Sequence, residues 1–137
     1  MADLVISDVQ FTSGFRSESV LLGEAVSKYD VLYKDNTTNS FKLASAATTD
    51  ASAATVIALD AGVIGDYVPA AQLSTAPTVT ATPGVGHGDR FLLSDTPGKI
   101  TDAQTDLATG SAIIDIGTGD AALMLRFAVR PTGVFMP

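Results

Sequence analysis

Short apolar segments, separated by turn-forming residues, recur along most of this chain. Gly, Pro, Asn, Asp and Ser interrupt the apolar runs before any of them is long enough for a helix of several turns. This pattern predicts a protein made of short β-strands. The strands that we predict are residues 30–34, 41–43, 56–59, 67–69, 90–93, 99–101, 112–116 and 121–129.

Two pairs of these segments are close enough in sequence to form β-hairpins. The first pair flanks residues 35–39, where Asp and Asn side chains bond locally to the backbone, and the second flanks residues 94–98. In the longest segment, residues 121–129, successive side chains point to opposite faces, and the pattern predicts one buried face and one partly covered face. The alternating sets are Leu123, Leu125 and Phe127 on one face and Met124, Arg126 and Ala128 on the other.

Other stretches predict breaks between strands. Residues 62–66 and 117–120 have turn composition, and Pro69 favours a sheet edge or a strand end because proline has no N–H. Residues 74–83, rich in Thr, Ala and Pro, predict an extended connector. Residues 44–55, made only of Ala, Ser, Thr and one Asp, fit either a single helical turn or a bare surface loop.

The order of the segments occurs twice. Val26-x-x-x-Asp30-Val31-Leu32 returns as Val85-x-x-x-Asp89-Arg90-Phe91, at an offset of 59. Because the order is kept while the offset drifts, we predict two copies of one structural unit with small loop deletions. The further matches are Lys42-Leu43 with Lys99-Ile100 and Val56-Ile57 with Ile113-Ile114, both at 57, and Gly65-Asp66 with Gly119-Asp120 at 54.

We therefore predict a single all-β domain over residues 1–137, barrel-like or sandwich-like, with two related β-modules. In the N-terminal arm, Leu4, Ile6 and Phe11 predict one strand, whereas residues 16–19 are too polar for a core. The predicted parts are an N-terminal arm, a first module, a connector, a second module and a C-terminal tail, at residues 1–20, 21–73, 74–82, 83–130 and 131–137.

Composition indicates a thin core. Although 46% of the residues are hydrophobic, 20 are Ala, Trp is absent, and Phe and Tyr together number nine. Fewer large side chains bury less apolar surface, so contacts with neighbouring subunits would add stability. We expect residues 1–15 or 131–137 to supply such contacts.

Charge and cysteine content narrow the possible partners. The net charge is −7, and no Lys or Arg lies between Lys42 and Arg90, so nucleic acid is not an expected partner. The absence of Cys excludes disulfides and fits assembly in a reducing cytoplasm. Residues 1–4 lack the pattern of a secretory signal, and no apolar run reaches the ~18 residues of a membrane span. We expect a protein made in the cytoplasm without a membrane partner.

Catalytic motifs receive little support. The glycine run of residues 84–89 follows a Thr/Pro-rich connector and precedes a β-rich segment, which predicts a tight turn and not a phosphate-binding loop. His87 is the single histidine and lies between glycines, without a Gly-x-Ser-x-Gly motif to suggest a nucleophile. We predict a protein that is not an enzyme, without catalytic, cofactor-binding or metal-binding residues and without a cofactor.

Several Asp residues are candidate calcium ligands or structural groups at strand ends and turns. Asp102 with Asp106, or Asp115 with Asp120, lack the alternating ligands of a calcium loop, so strand-end positions explain them better. Asp30 and Asp89 recur just before equivalent strands. We expect each carboxylate to bond backbone N–H groups of its own turn.

Three segments of the first module resemble the head decoration, or cement, proteins of tailed bacteriophages. The segments are residues 23–33 (GEAVSKYDVLY), 56–61 (VIALDA) and 65–69 (GDYVP). The resemblance implies a small β-rich virion protein on the capsid exterior. Such proteins typically form trimers that bind the expanded capsid and tie neighbouring major capsid subunits together. In such a protein, residues 1–15 or 131–137 would make inter-subunit or capsid contacts.

Two other functions are compatible with this composition. The first is a β-rich adhesion or glycan-binding module of a virion or cell surface, although such faces usually carry aromatic platforms and Trp is absent here. The second is a small hydrolase that uses His87 and a nearby Asp. If the protein were such a hydrolase, the substitution His87→Ala would abolish its activity.

Overall fold

The computed structural model describes residues 3–10, 17–48, 50–75, 77–82, 88–102, 107–121 and 124–137. These residues form β-strands and two short 3-10 turns, so the predicted all-β class is confirmed. The strands are β1 Val5–Gln10, β2 Ser17–Leu21, β3 Val31–Asp35, β4 Ser40–Leu43, β5 Ala54–Ala58, β6 Tyr67–Gln72, β7 Thr78–Thr82, β8 Arg90–Leu93, β9 Ile100–Thr101, β10 Ala112–Ala121 and β11 Met124–Phe135.

The strands form two antiparallel sheets. The larger sheet has the order β1-β7-β11-β10-β8-β9, and the smaller sheet has the order β2-β6-β5-β3-β4. If β1 is left aside, the two sheets have the same strand order. Taken in order across each sheet, the corresponding strands are β2 and β7, β6 and β11, β5 and β10, β3 and β8, and β4 and β9. The prediction of two related β-modules is confirmed by this topology.

Strand pairing gives the register of the duplication. Leu32 pairs with Val56 as Phe91 pairs with Gly117, and each pair borders a β-bulge. Lys42 pairs with Tyr33 as Thr101 pairs with Leu92, so the predicted match of Lys42 with Lys99 at 57 is wrong. The offset of 59 is right for β3 and β8, but the offset between β5 and β10 is 61, so the predicted match of Val56 with Ile113 at 57 is wrong as well. Both segments are short and apolar, and only the pairing partner distinguishes their true positions.

The start of each module repeats the same backbone geometry. Tyr29 and Gly88 are equivalent, and both have a left-handed backbone, with φ of 70° and 81°. Tyr29 N donates to Ala58 O at 2.7 Å, and Gly88 N donates to Gly119 O at 2.9 Å. Gly119 therefore corresponds to Ala58, and its predicted match with Gly65 at an offset of 54 is wrong.

Each sheet curls until its outer strands meet. In the smaller sheet, Gly23 N next to β2 donates to Phe41 O in β4 at 2.8 Å. In the larger sheet, Leu4 N next to β1 donates to Ile100 O in β9 at 2.9 Å. Because Phe41 and Ile100 are equivalent positions, β1 provides for the second module a contact that β2 provides within the first.

Two apolar clusters fill the structure. The larger includes residues of both sheets, among them Phe91 and Phe127, whose rings pack edge to face with centroids 5.4 Å apart. Such a pair adds about 0.5–1.5 kcal/mol beyond the burial of its area. The smaller cluster belongs to the first module and consists of Val20, Leu22, Val26, Leu32, Val56, Ala58, Val68 and Ala70.

The two modules meet at a contact that we call the seam. Gly98, in the turn between β8 and β9, accepts a hydrogen bond from Val31 N at 2.9 Å and donates one to Ala44 O at 2.7 Å. Ala46 N donates to Ser94 O at 2.9 Å. The backbone of the second hairpin turn is thereby bonded to both sides of the first hairpin.

The structure contains strands that the apolar pattern did not predict. Residues 16–19 were predicted to be too polar for a core, but residues 17–21 form the edge strand β2, in which Val20 is buried. The predicted connector contains β7, where Val79 and Ala81 are buried between threonines. Small side chains are enough here because β7 lies between β1 and β11. The first arm strand was predicted correctly and is β1.

Several predicted breaks were misplaced. Pro69 lies inside β6, which pairs with β2 and β5, and is not at an edge. β5 ends at Ala58, and Leu59 N donates to Pro69 O at 2.9 Å, so the proline carbonyl is bonded just beyond the end of that strand. Residues 131–135 of the predicted tail continue β11.

Residues 117–120 are not a turn but part of β10. A Cβ at Gly117 would lie 2.7 Å from Phe91 Cζ and would also overlap the carbonyl oxygen of Arg126. Glycine is therefore required for close packing inside a strand. The ambiguous stretch 44–55 contains one 3-10 turn at Asp50–Ser52 and the start of β5.

Gly98→Ala is expected to destabilise the protein more than Gly110→Ala. Both glycines have a left-handed backbone, with φ of 82° and 87°, so each alanine costs about 1–2 kcal/mol. A Cβ at Gly98 would also lie 2.9 Å from Asp30 Cγ and from Leu43 Cδ2, whereas nothing lies within 4 Å at Gly110. Overpacking adds about 1–3 kcal/mol. Urea unfolding measures both, and equal losses would contradict the seam contact.

Candidate interaction surfaces

The residues considered for catalysis do not assemble into a site. His87, Gly84 and Asp106 lie outside the described residues. Asp102 and Asp115 are half-buried, and one carboxylate oxygen of each lacks a hydrogen-bond partner in the described part of the chain. Among the residues that were placed, no group of three or more His, Asp or Glu could hold a metal ion.

Asp30 is a structural residue at the seam. Its side chain is buried, with Oδ2 accepting from Ser27 N at 2.9 Å and Oδ1 accepting from Lys99 Nζ at 2.8 Å. The predicted bond to the backbone of its own turn is confirmed. The partner Lys99, from the other module, was missed because sequence spacing does not show which turn meets which strand.

Asp89 differs from Asp30 although the backbone around the two is equivalent. Its carbonyl oxygen accepts from Gly119 N at 2.7 Å, as that of Asp30 accepts from Ala58 N at 2.8 Å. The Asp89 side chain is exposed, in contrast to the buried Asp30. Its carboxylate bond to the turn therefore remains a prediction.

The first module presents an exposed apolar surface at the connection between β5 and β6. We call Val63, Ile64 and Tyr67 the apolar tip; their exposed fractions are 58%, 72% and 69%. Large apolar side chains that are neighbours and solvent-exposed often mark an interaction site. The sequence pattern predicts a turn and a strand here but not the exposed surface.

The backbone beneath the apolar tip is held by hydrogen bonds to the segment after β2. Val26 N donates to Gly62 O at 2.9 Å, and Gly62 N donates to Val26 O at 3.1 Å. Gly65 N donates to Leu22 O at 3.0 Å. Within the loop, the Asp66 carboxylate accepts from Val63 N at 3.0 Å. The tip is thus fixed to the fold at several points.

The described parts of both termini pair within the chain. Residues 5–10 form β1 next to β7, and Phe135 is the residue paired with Ala112. Met136 N donates to Ser111 O at 2.8 Å. Three apolar side chains are nevertheless exposed here, namely Val5, Val134 and Phe135. Contacts of these termini with other subunits remain a prediction.

A groove of about 530 Å³ lies between the two sheets. Phe127 of β11 lies against it, and its polar lining residues are Glu18, Thr55, Gln72 and Ser74. The Phe127 ring is fully buried, so it offers no open platform for stacking a sugar ring. The groove has no feature that selects one ligand.

An ion pair joins the strands of the first hairpin. Lys42 Nζ lies 2.9 Å from Asp35 Oδ2. The bond from Lys42 and the Thr37 N–H lower the pKa of Asp35 below its ordinary value of 3.8, and Asp35 in turn raises the pKa of Lys42.

No helix in the described ranges is both long and apolar enough to cross a membrane.

Lys99→Met is expected to destabilise the fold, because it leaves the buried Asp30 carboxylate without its charged partner. Since the Lys99 side chain is 43% exposed, we expect a loss of about 1–2 kcal/mol. The exposed Lys34→Met is the matched control and should change stability by less than about 0.5 kcal/mol. Equal unfolding free energies for the two variants would show that the Asp30 contact contributes nothing.

Lys42→Met is expected to raise the pKa of the Asp35 carboxyl towards 3.8. Because the folded pKa is lowered, the carboxylate stabilises the fold above the ordinary pKa, and this effect is lost as the pH falls through the lowered value. An NMR titration of the Asp35 carboxyl carbon measures the shift. An unchanged titration midpoint in Lys42→Met would refute the proposed cause.

Comparison with known proteins leaves the function to be inferred from the chain's own residues. The scan of family models and the searches of curated proteins and of solved structures returned no match. The resemblance to decoration proteins therefore rests on the segments of the first module alone. No family membership is established.

Proposed function

We propose that this protein is a decoration protein that binds the outer surface of an expanded phage capsid and cements neighbouring major capsid subunits. The observation that carries the proposal is the apolar tip, which holds large apolar side chains in solvent on a hydrogen-bonded loop. The resemblance of residues 23–33, 56–61 and 65–69 to decoration proteins supports it, and the last of these segments includes Tyr67.

The architecture is compatible with a cementing role. Two antiparallel modules joined at the seam make a folded unit whose surfaces, and not a reactive centre, carry the function. A protein that binds the assembled lattice but not separated subunits stabilises the shell by mass action. A homotrimer with closed cyclic symmetry would present three copies of each surface to the lattice at once.

One observation favours the alternative of a glycan-binding module. Tyr67 is an exposed aromatic residue, and aromatic rings stack on sugars. Its neighbours Val63 and Ile64 provide no side-chain hydrogen bonds for sugar hydroxyls, however. The surface is thus better suited to an apolar protein partner than to a glycan.

Co-sedimentation with undecorated expanded phage heads tests the proposal. The purified chain should pellet with the heads and reach saturation at a fixed ratio to capsid subunits, whereas unexpanded heads serve as the comparison. Sedimentation of the chain alone should give three times its 14.0 kDa mass. Absence of saturable binding to any expanded head would reject capsid decoration.

A further inference from the structure

Because the fold is duplicated, the connection that carries the apolar tip can be compared with the equivalent connection of the second module. Ala58 pairs with Ala70 as Gly119 pairs with Leu125, so these pairs mark equivalent points on either side of the two connections. Between them the first module has residues 59–69 and the second has residues 120–124, which makes the first connection six residues longer. The second module joins its equivalent strands with the shorter connection.

The extra residues are therefore not needed to close the sheet. They place Val63 and Ile64 in solvent, although each would gain about 1.5–3 kcal/mol on full burial. The bonds from Gly62 and Gly65 to the segment after β2 hold the loop in one conformation. A loop that is ordered before binding loses little entropy when it docks, which favours a role in recognition.

Charge indicates what covers the apolar tip. Asp60 and Asp66 flank it, and both are exposed. The whole stretch between Lys42 and Arg90 contains no Lys or Arg. A second copy of the chain docked tip to tip would bring these acidic groups together, whereas a surface with basic groups would complement them.

We propose that the apolar tip is the capsid contact of this protein. It docks into an apolar hollow, rimmed by Lys or Arg side chains, on the outer face of the major capsid lattice. This inference rests on the proposed function and deepens it, because it assigns the contact to the first module and gives the partner surface its chemistry.

The test compares Ile64→Asp with Ala53→Asp in binding to expanded heads. Both side chains are exposed and each change adds one negative charge, so neither should affect folding by more than about 0.5 kcal/mol. We expect Ile64→Asp to weaken binding at least ~10-fold, as at a central interface residue, and Ala53→Asp, which lies outside the tip and the termini, to leave it within ~2-fold. Urea unfolding of both variants confirms that they remain folded.

A milder variant and a salt series sharpen the result. Val63→Ser should also weaken binding, and wild-type affinity should fall as salt rises, because the acidic flank then attracts the basic rim less. If Ile64→Asp binds heads like the wild type, the tip is not the contact, and capsid decoration is then supported by the binding of the wild type itself and not by the tip. If wild type itself does not bind, the proposed function fails.

The oligomeric state of the Ile64→Asp variant shows whether a second copy of the chain, and not the capsid, covers the apolar tip. Sedimentation of Ile64→Asp should show the same assembly as the wild type, since the tip is free before capsid binding. If the variant instead falls apart into single chains, a second copy covers the tip and the inference is overturned.

Discussion

The arrangement of this protein depends on the seam, where a turn of the second module is bonded into the first. Gly98 O accepts a hydrogen bond from Val31 N, and Gly98 N donates one to Ala44 O. A side chain would collide with Asp30 and Leu43. The same turn brings Lys99 to the buried Asp30 carboxylate. One glycine thus allows both a backbone contact and an ion pair to form between the two modules.

Duplication also explains how the protein can differ locally without losing its fold. The two modules have the same strand order, a bulge at the same pairing position and a residue with a left-handed backbone just before the hairpin of each module. They differ where β1 joins the second module and where the first has a longer connection. Such differences lie outside the repeated pairing, so they can serve binding while the shared strands maintain stability.

Much of the fold was predictable because strand positions and hairpins follow from local apolar segments and turn chemistry. The two hairpins, the buried faces of Leu125 and Phe127, and the duplication itself were predicted correctly. Register was not, because it depends on bulges and on the contact of Gly117 with Phe91, which involve partners distant in sequence. β7 was missed because a strand between two others can be built from small residues.

The candidate surface was harder to predict. The offset between the modules falls from 61 at Ala58 and Gly119 to 55 at Ala70 and Leu125, because the first module has six extra residues. The predicted matches at 57 and 54 were misaligned, so they did not reveal that the longer connection contains Val63 and Ile64 between Gly62 and Gly65. Exposure of these side chains depends on the bonds from that loop to Leu22 and Val26, which no local pattern shows.

The most direct measurement of the central claim is a cryo-electron microscopy reconstruction of expanded phage heads saturated with this protein. The account predicts density for the two-module chain on the outer lattice, with residues 62–67 facing the capsid subunits. A bare lattice, or a bound chain whose residues 62–67 point away from the shell, would contradict it.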